Sequence, residues 1–469
     1  MRTLVWFKND LRVSDHPALA AARERGQVVA CYCMSTEQWR AHDMGDWRLA
    51  FQLRTLEALR QQLDELNIKL AILDAPEFSD VPAALIRLCK SWQIDALDSI
   101  DEYPLNERRR DDAVEQTLLD AGVAVNRHVG DVLVEPGVLK TGNGTPYTVF
   151  TPFYKKWLDP AENAVRQICT APDRQPVFTL PGDQPDQVVP ERVDGVDRRL
   201  GEKRWPAGEA VAQELLDTFI TERAARYPDD RDVPALDGTS GLSVHLAVGS
   251  LSARQCVSAA MRASLHLSKS SDGLQKWVSE IAWRDFYRHI VAQFDHVNKG
   301  KAFRLEKDHL PWRHAPDELQ AWQEGMTGYP LVDAAMRQLN ETGWMHNRLR
   351  MIAAMFLSKH LLIDWRSGER YFMQKLVDGD FASNNGGWQW SASTGTDAAP
   401  YFRIFNPTSQ GLKFDKGGAF TTQFVPELRG LDARYMFEPH KAGVSSYPAP
   451  IVDHKLARER ALAFFKANL

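Results

Sequence analysis

The segment WVSEIAWRDFYRH (277–289), wound at about 100° per residue, puts Trp277, Glu280, Trp283, Arg284 and Tyr287 within an arc of roughly 120°. One carboxylate then lies between two indoles. Burial of that kind raises a carboxyl pKa and makes a proton-bearing group near pH 7. The same spacing also suits an amphipathic helix in which Glu280 pairs with Arg284 four residues on. A second cluster, DFASNNGGWQW (380–390), sets Trp388 and Trp390 on either side of one Gln after an Asn-Asn-Gly-Gly stretch that reads as a turn. Two indoles so close are costly to solvate and point away from ordinary core.

Three further groups carry polar chemistry. The apolar run 343–365 is interrupted by His346, Asn347, Arg348 and Arg350, a pattern that reads as a helix cap or ion-pair site, with Asp378 and Asp380 as carboxylate partners for Arg350. Their spacing lacks the glycine and terminal Glu of a calcium loop, so no metal is expected. TSGLS (239–243) offers hydroxyls and backbone N–H groups suited to phosphate, ahead of a helix SARQCVSAAM capped by Ser252. Trp312, Trp365 and Trp388 lie far apart in a chain with 14 Trp, and spacing alone does not align them.

The elements that must position these groups fall into two halves. Apolar runs at 3–7, 28–34, 69–74, 94–100 and 123–129 alternate with helical patterns near 16–25, 46–66, 81–92 and 106–121, which predicts a doubly wound parallel sheet. It holds no G-x-G-x-x-G or Walker A loop, which excludes the usual dinucleotide or nucleoside-triphosphate reading. Residues 170–206 carry prolines without periodicity and read as a surface connection containing the domain change. Beyond 207 the patterns are helical, as in 209–227 and 331–339. The expected division is an α/β domain at 1–130, a connection at 131–206 and an all-helical domain at 207–469.

A chain of 469 residues exceeds one core, and 44% hydrophobic with 25% charged residues is a soluble globular composition. A net charge of -5 gives no global pull on a polyanion, so any nucleic-acid contact must use a local basic patch. Five cysteines without C-x-x-C spacing read as reduced packing residues, and with neither a signal-peptide core nor a membrane span the expectation is a cytoplasmic protein. Nothing resembles a coiled-coil seam, so a monomer is expected.

From end to end the chain resembles the photolyase/cryptochrome family, and within it the bacterial class I cyclobutane pyrimidine dimer photolyases. The resemblance is carried by VWFKNDLR (5–12), NER (106–108), TSGLS, EIAWRDFYRH (280–289), TGYPLVDAAMRQL (327–339), TGWMHNRLRM (342–351), DWRSGERYF (364–372) and residues 378–407. It implies an α/β domain followed by a helical domain that holds FAD. Tyr227, Thr239, Ser240, Leu242 and Ser243 would contact the diphosphate; Asn347, Arg350, Asp378 and Asp380 would surround the flavin and ribitol; Asn384 would face flavin N5. Gly241 departs from the larger, often basic, residue of many members.

In this family, light drives one electron from reduced flavin to a flipped-out dimer in UV-damaged DNA. The resemblance then implies that Glu280 and Asn347 hydrogen-bond the dimer, Trp283 and Trp390 wall it, and Met351 packs on it. Trp388, Trp365 and Trp312 would relay electrons to oxidised flavin. Arg231, Trp277, Arg284, Arg348, Gln410 and Lys413 would contact DNA. Asn106, Glu107 and Lys299 would hold a methenyltetrahydrofolate antenna. The alternatives are a signalling cryptochrome, opposed by Asn384 and Glu280, and a (6-4) photolyase, opposed by the absence of a histidine pair at 346–347.

Overall fold

A computed structural model describes residues 1–182, 185, 187–264 and 272–468; parts of the 131–206 connection (183, 184 and 186) and the last residue of the C-terminal helical pattern lie outside them. Five strands, β1 (Arg2–Phe7), β2 (Gln27–Met34), β3 (Leu70–Asp74), β4 (Ala96–Ile100) and β5 (Ala124–His128), form one parallel sheet in the order β3-β2-β1-β4-β5. Leu4 pairs with Val29 on one side and Leu97 on the other. The central strands are continuous apolar runs because both faces are covered. Leu4 and Trp6 pack with the helices Val81–Trp92 and Leu105–Asp120, while Val5 and Phe7, on the opposite face by alternation, are equally buried. Edge strand β5, with its polar Asn126-Arg127-His128, is only partly buried. These elements match the sequence reading to within one or two residues.

The chain packs as two compact units, Met1–Ala224 with Ser240–Gln293, and Ala225–Thr239 with Phe294–Leu469. The composition change at 206–207 is therefore not where packing breaks. The helices Ala253–Ser264 and Asp272–Gln293 lie against Phe150–Val165 in the first unit. The connection is also stitched down rather than loose. Gln175 donates from Nε2 to the Val28 carbonyl at 2.8 Å and accepts from its N–H at 3.0 Å, and Arg54 donates to the carbonyls of Arg198, Leu200 and Trp205. Arg192–Val193 and Val196–Asp197 form a short antiparallel hairpin within it.

Beyond 207 the described residues contain helices and no strand. The second unit buries a cluster that includes Trp322, Leu339, Leu349, Phe356, Trp365, Phe372 and Trp388. The run 343–365 is not one helix: Asn347–Met355 continues as a π-helical turn Phe356–His360, breaks at Leu362 with φ 52°, and restarts at Trp365. All five cysteines are free, and all but the half-buried Cys169 are buried.

Candidate functional site

In the second unit the helices Asn347–Met355 and Trp365–Lys375 both pack on Phe381–Ala392. The Asn-Asn-Gly-Gly stretch is not a turn, because it lies inside this last helix. Asp380 caps it, its Oδ1 accepting from Ser383 N at 2.9 Å, and packing then carries the helix through both glycines. The correction changes the reading of the two indoles. At about 100° per residue, Trp388 and Trp390 point to nearly opposite sides of the helix. Trp388 is buried core, against the expectation of a non-core cluster, whereas Trp390 is half-buried.

Asn384 lies one turn before Trp388 on the same face. Its Nδ2 donates to the Glu369 carbonyl at 2.9 Å, which orients the amide and leaves its oxygen and second N–H for other partners. Asn385 Nδ2 binds Glu369 Oε1 at 3.0 Å, and Gln389 Nε2 binds Asn385 Oδ1 at 2.8 Å, so the helix is fixed in rotation. Gly387 is exposed, and a Cβ there would meet nothing within 4 Å. The helix thus presents bare backbone beside an amide oxygen.

His346 accepts from Arg348 N at 3.2 Å and caps Asn347–Met355, as the cap reading expected; burial holds its imidazole down to about 4 and hence neutral. Asn347, Arg350 and Met351 share one face of that helix by their i, i+3, i+4 spacing. Arg350 Nη2 binds both oxygens of the buried Asp378 at 3.0 and 2.8 Å, and its Nε donates to the Met345 carbonyl at 2.8 Å. Of the two carboxylates expected to pair with Arg350, Asp378 does so and Asp380 serves as the cap.

Trp365 and Trp388 belong to one hydrophobic cluster, and Trp312 packs on it from a partly exposed position against Phe464 and Phe465. The indole N–H groups of all three are buried without an acceptor among the described residues. Gly368 is what admits Trp388, since a Cβ there would overlap its six-membered ring and lie 2.7 Å from Leu357 Cδ2. Gly368→Ala is therefore expected to displace Trp388 and cost about 1–3 kcal/mol of stability. Thermal unfolding checks this, and an unchanged midpoint would contradict it.

The second unit also gathers cations. Arg348 pairs with Asp232 at 2.5 Å and lies over Phe414 at 4.7 Å, Lys413 lies over the same ring at 4.9 Å, and Arg231 Nε is 3.7 Å from Asp232. Arg231 also covers the buried Tyr227 ring at 5.2 Å. Gln410 shares the helix Pro407–Phe414 with Lys413. Two cations, Arg348 and Arg231, share the Asp232 carboxylate, and Lys413 joins Arg348 over Phe414, so positive charge outnumbers negative in this patch.

In the first unit, the expected Glu280–Arg284 pair does not form. Arg284 binds the carboxylate and carbonyl of Asp131, 153 residues away in sequence, and Arg288 binds the same carboxylate. Glu280 lies 3.7 Å from Lys276 with 28% of its side chain exposed, so it is not enclosed between indoles. Trp277 is buried against Phe219 at 5.0 Å, and Trp283 stacks on Phe150. Arg284 and Trp277 are therefore committed within the fold rather than standing free as a surface rim. TSGLS runs directly into a short helix, Ser243–Val248, and Ser252 caps the next one, Ala253–Ser264, accepting from Gln255 N at 2.9 Å. Gly241 has φ +68° with open space around it, a conformation that favours glycine over a larger residue.

Asn106 Nδ2 is 3.0 Å from His42 Nε2, which Gln38 Nε2 also approaches at 3.0 Å. Two amide donors make that nitrogen an acceptor, so the ring proton sits on Nδ1, 3.6 Å from Glu107 Oε1. Burial, with the nearby Glu102 carboxylate, pushes the Glu107 carboxyl up to about 7. Lys299 belongs to the second unit, after the short helix Asp295–Asn298. Asp131, Asp232, Phe150, Gly368 and Glu369 were not singled out from the sequence. Only Gly368, an isolated glycine within DWRSGERYF, carried a local signal.

Residues 3–173 match the family described as DNA photolyase, and 277–467 match the FAD binding domain of DNA photolyase. A deoxyribodipyrimidine photo-lyase of Salmonella typhimurium is 43% identical over 99% of this chain and 98% of its own, and one from Escherichia coli is 42% identical over the same shares. Among solved structures, a class III photolyase from Agrobacterium tumefaciens has a TM-score of 0.85 at 36% identity, covering 100% of this chain and 97% of its own. A Synechocystis cryptochrome has a TM-score of 0.82 at 27% identity, covering 99% of each chain. This chain belongs to the DNA photolyase family. Its cofactor is FAD, which suits the Asn384 oxygen beside bare helix backbone and the charge-balanced Arg350–Asp378 pair.

Proposed function

We propose that this protein repairs cyclobutane pyrimidine dimers in DNA in a light-dependent reaction. The observation that carries the reading is the 43% identity, over 99% of the chain, to a relative named for that lesion. Bound and reduced, FAD would lend one electron to the dimer in light and regain it once both cyclobutane bonds have broken, with no net redox change. The residues of the chain bind, orient and exclude water. Tyr227, Thr239, Ser240, Leu242 and Ser243 hold the diphosphate, Arg350, Asp378 and Asp380 the ribitol side, and Asn384 presents its amide oxygen to flavin N5.

Glu280 and Asn347 hydrogen-bond the dimer, Trp283 and Trp390 stack on it, and Met351 fills the remaining space. Arg231, Arg348, Gln410 and Lys413 contact phosphates, which position the duplex without reading sequence. Specificity comes from a lesion that is already poorly stacked and so cheap to extrude. Asn106, Glu107 and Lys299 hold a methenyltetrahydrofolate antenna. The protein acts as a monomer in the cytoplasm. No helix among the described residues is long and apolar enough to cross a membrane.

Glu280→Ala tests the lesion contact. Losing one charge-assisted hydrogen bond costs about 1.5–3 kcal/mol, so repair yield per photon is expected to fall by roughly tenfold or more while flavin stays bound. An unchanged yield would return Glu280 to a surface partner of Lys276.

A further inference from the structure

We propose that Phe150 is a positioning residue for lesion recognition, holding the Trp283 indole in the plane that receives the flipped dimer. The inference rests on the reading of Trp283 as a lesion wall. Its geometric basis is a column of four aromatic rings inside the first unit. Trp283 and Phe150 lie face to face with centroids 3.7 Å apart and planes 8° from parallel. Tyr154, one turn along the helix Phe150–Val165, stacks on Phe150 at 5.7 Å and 14°. Trp157 stacks on Tyr154 at 6.1 Å and 26°.

The far end of the column is anchored. Trp157 Nε1 donates to Asp285 Oδ2 at 2.9 Å, and the same oxygen accepts from Leu133 N at 2.9 Å. Asp285 lies two residues from Trp283 on the helix Asp272–Gln293, so this helix and Phe150–Val165 are pinned to each other at both ends of the stack. Phe286, at 5.6 Å and 85°, and Tyr287, at 5.5 Å and 35°, flank the Trp283 ring. Phe150 itself is buried, while Trp283 is half-buried and keeps accessible surface.

A wall fixed in this way loses little rotamer freedom when a base stacks on it, which is how preorganisation raises affinity. Phe150 would not touch DNA or flavin, so its effect falls on binding of the lesion and not on the photochemical step. Replacement by leucine keeps an apolar side chain but removes the parallel ring. Aromatic pairing contributes about 0.5–1.5 kcal/mol beyond burial, and its loss corresponds to roughly 2–12-fold.

The test uses flavin-containing protein and an oligonucleotide with one thymine dimer, alongside its undamaged twin. Phe150→Leu is expected to weaken dimer binding by about 3–10-fold. Flavin content, affinity for the undamaged twin and repair yield at saturating dimer should stay as they were, and Phe150→Tyr should restore dimer affinity. If Phe150→Leu does not fold, Tyr154→Leu, which strips only the second layer, should still weaken dimer binding about twofold. Unchanged dimer affinity in the folded variants, with Trp283→Ala clearly weaker, would overturn the positioning role and leave the lesion-wall reading standing. Unchanged affinity in Trp283→Ala as well would overturn both. A parallel loss for the undamaged twin would show a structural effect and also overturn the proposal.

Discussion

Trp388→Phe is expected to leave purified protein unable to photoreduce its oxidised flavin while chemically reduced protein keeps full repair. The argument rests on chemistry and burial together. Indole is readily oxidised and a phenyl ring is not, so the substitution keeps a large apolar ring in the site and removes the oxidisable group on which the proposed relay depends. Trp388 packs edge-on against Phe372 at 4.9 Å and Trp322 at 5.9 Å, beside Gly368, so Phe fits the space with a modest void. The photoreduction rate should fall at least about tenfold, equivalent to ~1.4 kcal/mol of barrier. Equal loss of photoreduction and of repair by pre-reduced protein would remove Trp388 from the relay and leave it a core residue.

Asp378→Ala is expected to strip FAD from the protein. The Asp378 carboxylate is 2% exposed and takes two hydrogen bonds from Arg350. Removing it leaves a guanidinium with one remaining bond, to the Met345 carbonyl, and an uncompensated charge. Truncating one partner of a buried charged pair costs 2–5 kcal/mol or more; with Arg350 26% exposed, about 2 kcal/mol is the fitting figure, or roughly 30-fold in cofactor affinity. The flavin-to-protein ratio after dialysis reads this directly. Full flavin retention with a lower unfolding temperature would make the pair a structural clamp.

The sheet was legible because continuous apolar runs such as TLVWF and VVACYCM report burial on both faces, a property local to each run. Caps were legible for the same reason: His346 needed only its own helix start. What the sequence did not show depended on distant partners. Arg284 looks like a mate for Glu280 by spacing, but Asp131 competes with two contacts and wins. The Asn-Asn-Gly-Gly stretch has turn composition, yet Asp380 and the Glu369 contacts make it helical. The change of composition at 207 marks the last strands and not a break in packing, since later helices close the core of the first unit. Arg350 and Asp378 were paired on residue type and position alone, and Asn384 was identified through a family motif; the hydrogen-bond geometry of all three came only with the fold.

The most direct test of the central claim is repair of a single thymine dimer in a short oligonucleotide by purified, reduced protein, under blue light and in darkness. The account predicts restoration of the two thymines in light alone. Absence of repair in light, with flavin bound and reduced, would contradict it and leave a blue-light signalling protein or another lesion as the function of this fold.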